Sequence, residues 1–171
     1  MSDVNLRNQT VQDAAAIRQL ITAAFATAAH SCGREQDLME ALWTADAATV
    51  ALVAESANGL VGQVACSPVT IDGRSGSWFG LGPLAVRPDR QRQGIGSALV
   101  RAALQRLHLR QAAGCVLVGD PAFYARFGFR PAAPLCLPGV PAPYFLALPF
   151  RDGPPAGVVA FHPAFTLAAD G

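Results

Sequence analysis

The run Leu84-Ala85-Val86-Arg87-Pro88-Asp89-Arg90-Gln91-Arg92-Gln93-Gly94-Ile95-Gly96-Ser97-Ala98-Leu99 constrains the fold more than any other part of the chain. An apolar strand stops at Pro88, crosses a polar loop charged by Arg90 and Arg92, and enters a helix through Gly94 and Gly96. The first turn of a helix leaves backbone N–H groups without intrahelical partners, and the helix dipole adds positive potential there. Glycines leave those groups uncovered, so such a start suits a phosphate or pyrophosphate. Two familiar phosphate motifs are absent. A dinucleotide fingerprint needs Gly-x-Gly-x-x-Gly and an acidic residue after the next strand, and a P-loop needs Gly-Lys-Ser/Thr.

A length of 171 residues predicts one domain over 1–171, large enough to bury a real core. Thirteen basic residues against twelve acidic ones, without a like-charge run, argue against nucleic acid or an anionic membrane as partner. The composition, 51% hydrophobic and 15% charged, predicts a well-filled core and an apolar surface that a second copy of the chain, as a homodimer, could cover. From Pro131 to Phe150 no residue is charged, and a helix of that length would span a bilayer. Pro131, Pro134, Pro138, Pro141, Pro143 and Pro149 exclude that helix. The polar start of the chain carries no basic-then-apolar signal, so the expected location is cytoplasmic. Cys32, Cys66, Cys115 and Cys136 form no CxxC pair and no Cys/His ligand spacing, and no metal is expected. Cys66 and Cys115 lie in strand-like runs and read as small core residues.

Along the chain, Val4 to Asn8 reads as a strand, and Thr10 as the cap of a helix from Val11 to about Ala28. A second helix fits Arg34 to Thr44. Strands from Thr49 to Glu55 and from Leu60 to Ser67 are joined by a turn containing Asn58-Gly59. Asp72-Gly73 marks another turn. Ser77 to Val86 is a strand interrupted by Gly80, Gly82 and Pro83, as a bulge would be. A helix from Gly96 to Ala112 and a wholly apolar strand from Cys115 to Gly119 follow. Asp120-Pro121 starts a short helix that Gly128 stops, and strands fit Tyr144 to Leu148 and Gly157 to Phe161. Antiparallel strands followed by a β-helix-β-helix-β run make a single α/β domain.

Two signatures now carry a resemblance. Gln91-Arg92-Gln93-Gly94-Ile95-Gly96 resembles the Gln/Arg-x-x-Gly-x-Gly/Ala motif of the GNAT N-acetyltransferase superfamily, and the stretch from Gly119 to Phe129 supplies its Tyr ahead of a Gly-Phe. Leu81-Gly82-Pro83-Leu84-Ala85-Val86 and Gly119-Asp120-Pro121 resemble the YhbS-like bacterial branch, and the likeness covers essentially the whole chain. It implies the GNAT fold, an α/β architecture with a mixed, mostly antiparallel central sheet flanked by helices and splayed by a bulge in the strand from Ser77 to Val86. It implies acetyl-CoA as cosubstrate, its pyrophosphate on the amides of Gln91, Arg92, Gln93, Gly94, Ile95, Gly96 and Ser97. The pantetheine arm would pair with the strand at Leu84, Ala85 and Val86. The implied reaction moves an acetyl group to a primary amine, small molecule or peptide, by direct attack in a ternary complex. The alternative is a non-catalytic acyl-CoA-binding or regulatory module.

The resemblance places Tyr124 as the acid for the leaving thiolate and the N–H of Leu84 as the oxyanion donor. A phenol near pKa 10 is a weaker acid than a thiol near about 8.5, so Tyr124 either works in a tuned site or orients the sulfur. The carboxylate that many relatives carry on the bulged strand is missing, as is the Asn that usually precedes the Tyr. Glu35 matches an acidic position of the branch and is the candidate base; Asp37, Glu40, Glu55, Asp120 and a water chain are the other options. His30, His108 and His162 are scattered, and only His162 follows a strand toward the acceptor side. A lysine-type amine is neutral in only about one molecule per thousand at neutral pH, a peptide α-amine in roughly a tenth. The missing strand carboxylate therefore leans toward an amine of low pKa. The uncharged segment from Pro131 to Phe150 is expected to line the acceptor pocket or a dimer contact.

Overall fold

The computed structural model describes residues 3–26 and 34–166. His30 and Cys32 lie outside the described residues. In chain order the elements are β1 (Asn5–Asn8), α1 (Ala14–Phe25), α2 (Glu35–Thr44), β2 (Val50–Ser56), β3 (Gly59–Ile71), β4 (Arg74–Val86), α3 (Ile95–Leu109) and β5 (Gly114–Val118). After these come α4 (Pro121–Tyr124), β6 (Arg130–Pro131), β7 (Leu135–Cys136), β8 (Phe145–Pro149) and β9 (Gly157–Ala160). The sheet runs β1-β2-β3-β4-β5-β8-β6, and β9 joins the free edge of β3 beside β7. Pairing is antiparallel except between β4 and β5 and between β7 and β9.

Local chemistry accounts for most of this. Asn58-Gly59 closes the β2–β3 hairpin, with Gly59 at φ 105°. β3 continues past Ser67 to Ile71, and β4 begins at Arg74, ahead of the expected Ser77. The reason is tertiary: Thr70 and Ile71 pair with Ala160 and Val159 of β9, which gives the chain beyond Pro68 a partner on its open edge. α3 begins at Ile95 and ends at Leu109, short of Ala112, because Gln111 enters the left-handed region at φ 59°. Thr10 stands at the N-cap as expected. A 3-10 turn (Val11–Asp13) leads from it into α1 in a capping box, and the Asp13 carboxylate accepts from the Thr10 N–H (2.7 Å) and hydroxyl (3.2 Å).

α3 covers one face of the sheet. Leu99, Ala103 and Leu107 pack with Val64, Cys66, Leu81, Cys115 and Leu117. On the opposite face, Ile17, Ile21 and Met39 of α1 and α2 cover Val53, Ala65 and Ala85. The rest of that face is closed by the proline-rich return, where Ala132, Leu135 and Phe145 pack with Trp78, Val116 and Val159. Each large aliphatic side chain removed from water contributes about 1.5–3 kcal/mol before entropy is charged against it. Cys66 and Cys115 are fully buried core residues, as expected, whereas Cys136 is exposed. No helix among the described residues is long and apolar enough to cross a membrane.

Candidate active site

β4 and β5 pair at Trp78↔Gly114, Phe79↔Cys115 and Gly80↔Val116, and there the pairing stops although both strands continue. A bulge on β4 is the cause. Between Cys66 and Val64 of β3 the partner register jumps from Leu81 to Leu84, leaving an extra residue at Gly82-Pro83. Proline has no N–H to contribute to a ladder, so its place at the interruption costs little. Gln63, fully buried, donates from Nε2 to the Pro83 carbonyl at 3.0 Å and ties the bulge to β3.

Beyond the bulge, register fixes which backbone groups face the gap. The Arg87 N–H donates to the Val61 carbonyl at 2.8 Å, with Gly62 opposite Val86 and Gln63 opposite Ala85. Antiparallel alternation then turns the N–H and C=O of Ala85 toward β3, and those of Leu84 and Val86 away from it. Leu84 and Val86 therefore present main-chain groups to the opening. Ala85 does not; its side chain packs with the α1–α2 cluster. The Val86 carbonyl accepts from Gln91 Nε2 at 3.1 Å, which anchors the following loop to the end of the strand.

That loop reaches α3 through Arg92 at φ 62° and Gly94 at φ 86°, both left-handed. The first helical bond runs from the Ala98 N–H to the Gly94 carbonyl at 3.0 Å, so Ile95, Gly96 and Ser97 offer N–H groups without a helical acceptor. The two loop arginines differ. Arg90 is held by Asp3 (3.1 Å) and by Gln93 Oε1 (3.1 Å), while Arg92 has no hydrogen bond or ion pair among the described residues. A Cβ on Gly96 would meet only Val86 and Phe123, at 3.6 and 3.9 Å, so packing does not demand a glycine there.

Tyr124 ends α4, whose start is capped as expected: Asp120 Oδ1 accepts from the Ala122 N–H at 2.9 Å. Its ring lies against Gly119, where a Cβ would collide with it, and edge-on to Phe123 with centroids 4.8 Å apart. Burial, with smaller contributions from Cys115 and Asp120, pushes the phenol up to about 12. It stays protonated throughout the physiological range. Arg126 stacks over Phe123 at 4.7 Å and brings a second cation toward the start of α3, since Phe123 is the ring beside Gly96.

Most of the candidate carboxylates are already engaged. Asp37 and Glu40 are paired with Arg18, Glu55 is paired with Arg7, and Asp120 is spent as a cap. Glu35 stands at the first turn of α2, on a different element from the gap-bordering strands. His162 accepts at Nδ1 from the Ala164 N–H (3.0 Å) and is half-buried. His108 is exposed and stacks on Phe150 at 3.9 Å. Burial holds the Cys66 thiol up at about 12, which removes the thiolate that an acyl relay would need. No group of three or more His, Cys, Asp or Glu among the described residues is placed to hold a metal.

Sequence reasoning passed over Gln63 and Arg126. Gln63 had a legible signal: it is the one amide in the apolar run Val61-Gly62-Gln63-Val64-Ala65, and it falls opposite the Gly-Pro interruption once the hairpin is drawn. Arg126 had none, because its role depends on a ring contact rather than on spacing.

Residues 46–131 match the acetyltransferase (GNAT) domain family. The chain is 43% identical over 86 residues to the uncharacterized N-acetyltransferase YhbS of Escherichia coli K12, a match spanning about half the length of either protein (50% and 52%). It is 32% identical over 136 residues to the uncharacterized N-acetyltransferase YjhQ of the same organism, covering 77% of this chain and 71% of that one. Among solved structures, a GNAT family acetyltransferase from Brucella melitensis in complex with acetyl-CoA superposes with a TM-score of 0.85 at 42% identity, over 95% of this chain and 97% of that one. YhbS of Escherichia coli in complex with CoA gives a TM-score of 0.87 at 32% identity, over 96% and 92% of the two chains. With its splayed β4–β5 pair and amide-rich α3 start, the chain belongs to the GNAT acetyltransferase family.

Proposed function

We propose that the protein is an N-acetyltransferase that passes an acetyl group from acetyl-CoA to an amine by direct attack. The observation that carries this reading is the end of β4–β5 pairing at Gly80 and Val116, with both strands continuing past it. The gap gives an extended pantetheine a strand edge at Leu84 and Val86. The amides of Ile95, Gly96 and Ser97, with the Gln91–Gly94 approach and Arg92, give the pyrophosphate its donors and charge. Relatives solved with acetyl-CoA and with CoA support this choice of cosubstrate.

In this reading the Leu84 N–H meets the oxygen that becomes negative as the amine attacks. The C–N bond forms as the C–S bond breaks. Tyr124 stands as hydrogen-bond donor to the departing sulfur. With the phenol at about 12 and a thiol near about 8.5, complete proton transfer is uphill by roughly 5 kcal/mol, so Tyr124 stabilises a thiolate instead of neutralising it outright. The test is CoA release from acetyl-CoA against a panel of amines, with acetyl-CoA binding recorded alongside. Amine-dependent release supports the enzyme. Binding without release from any amine would instead favour an acyl-CoA-binding module, the reading suggested by the absence of a carboxylate on β4.

A further inference from the structure

The cations around the start of α3 are unevenly spent. From Arg87 to Arg130 the chain carries eight arginines against two aspartates, with neither lysine nor glutamate. Arg87 is paired with Asp89, Arg90 is held by Asp3, and Asp120 caps α4. Arg92, Arg101 and Arg126 have no carboxylate partner among the described residues. Two of these three rest on rings. Arg126 lies 4.7 Å over Phe123 and Arg101 lies 5.2 Å over Phe127, and the two rings meet edge to face with centroids 5.5 Å apart.

The two stacked arginines differ in what lies next to them. The Phe123 ring comes within 3.9 Å of the place a Gly96 Cβ would take, so a single phenyl ring separates the Arg126 guanidinium from the first turn of α3. Arg101 stands about two turns along that helix. Arg126 is also the better fixed. Its Nε donates to the Phe123 carbonyl at 2.9 Å, while both Nη groups of this exposed side chain make no hydrogen bond among the described residues. A guanidinium already held in place loses little rotamer freedom when it binds.

CoA has a group to match. Its ribose alone separates the pyrophosphate from a 3′-phosphate, a monoester with about two negative charges at neutral pH. Arginine offers such a group paired N–H donors, and charge-assisted bonds of this kind are the stronger ones. Resting on the acetyl-transfer reading above, we propose that Arg126, supported on Phe123, binds the 3′-phosphate and makes the protein select a CoA thioester over the same thioester without that phosphate. Arg101, of equal charge and with the same kind of ring contact, takes no part in the selection.

The experiment is calorimetric titration of the protein with acetyl-CoA and with acetyl-3′-dephospho-CoA. The wild type should prefer acetyl-CoA by about ten-fold or more, and Arg126→Gln should bring the two ligands within about two-fold by losing affinity for acetyl-CoA alone. Arg126→Lys, which keeps the charge and loses the fork, should fall between them. Arg101→Gln should retain most of the preference. Equal affinities in the wild type overturn the proposal. So does an Arg126→Gln variant that weakens both ligands alike, since that is the mark of a packing role for the Phe123 stack. Loss of the preference in Arg101→Gln to the same extent as in Arg126→Gln overturns it too, by making selection a matter of local charge. All three outcomes leave acetyl-CoA recognition standing, whereas failure to bind either thioester refutes the acetyl-transfer reading itself.

Discussion

At the corner where β1 meets the 3-10 turn before α1, the Arg7 guanidinium donates to Asp13 at 2.8 and 2.9 Å, to Glu55 at 3.0 Å and to the Asn8 carbonyl at 3.0 Å. Charges of both signs meet there, and the bidentate geometry leaves no donor idle. At the β4–β5 gap the polar groups are neutral and unfinished. Gln63 Oε1 and the Ser67 hydroxyl have no partner among the described residues, and the backbone of Leu84 and Val86 faces an opening. The first region fastens a sheet edge to a helix start. On the proposed function the second region is where the cosubstrate pairs with the chain. That reading lodges stability and function in different polar sites, and substitutions should separate them.

The largest effect is expected at Tyr124. Tyr124→Phe should lower kcat by about a hundred-fold while the acetyl-CoA dissociation constant stays within about two-fold, because only the donor to sulfur is lost. Stopped-assay turnover beside calorimetric binding reads both. Next is the Arg7 corner, where the opposite pattern should appear: Asp13→Asn should cost about 2 kcal/mol of unfolding free energy in urea and leave kcat unchanged. The sign with pH follows from the Arg7 hydrogen bonds, which hold the Asp13 carboxyl down at about 2 against an ordinary 3.8. Its contribution is complete above pH 3.8 and is lost as the pH falls toward 2, so the wild-type and Asp13→Asn unfolding curves should converge in that acid window.

Gly96→Ala sharpens the contrast further. The site has room for the methyl group, and alanine favours helix by about 0.5–1 kcal/mol, so the melting temperature should hold or rise. Acetyl-CoA affinity should nevertheless weaken about ten-fold, because the methyl group stands where phosphate oxygens approach the amides. The smallest effect belongs to Arg92→Gln, with a loss of affinity of about three-fold that shrinks as salt is added, as expected for an exposed charge. Arg90→Gln should do less to affinity, since Asp3 and Gln93 already hold that side chain.

Much of the fold was legible because local chemistry determined it. The Gly94-x-Gly96 entry to α3, the Asp120-Pro121 start of α4 and the Gly82-Pro83 interruption each carry their structural reason in the residues themselves. The extension of β3 and β4 to the Asp72-Gly73 turn was not legible, since it depends on β9 arriving from 86 residues downstream, as the Val158 N–H bond to Asp72 shows. Of the residues proposed for the site, the loop amides and Tyr124 were named from spacing alone. The withdrawal of Arg90 toward Asp3 and the turning of Ala85 away from the gap could not, because pairing partners and strand register decide them. Gln63 lay between these cases: its polarity was visible, but its hydrogen bond across the hairpin required the register.

The central claim is that acetyl-CoA lies across the gap with its phosphates at the start of α3. Amide chemical-shift mapping on isotope-labelled protein during an acetyl-CoA titration tests it most directly. The account predicts that the largest shifts fall on Leu84, Val86 and the amides from Gln91 to Ser97, with β1 and the Arg7 corner unmoved. Shifts centred on any other surface, or none at saturating acetyl-CoA, would contradict it.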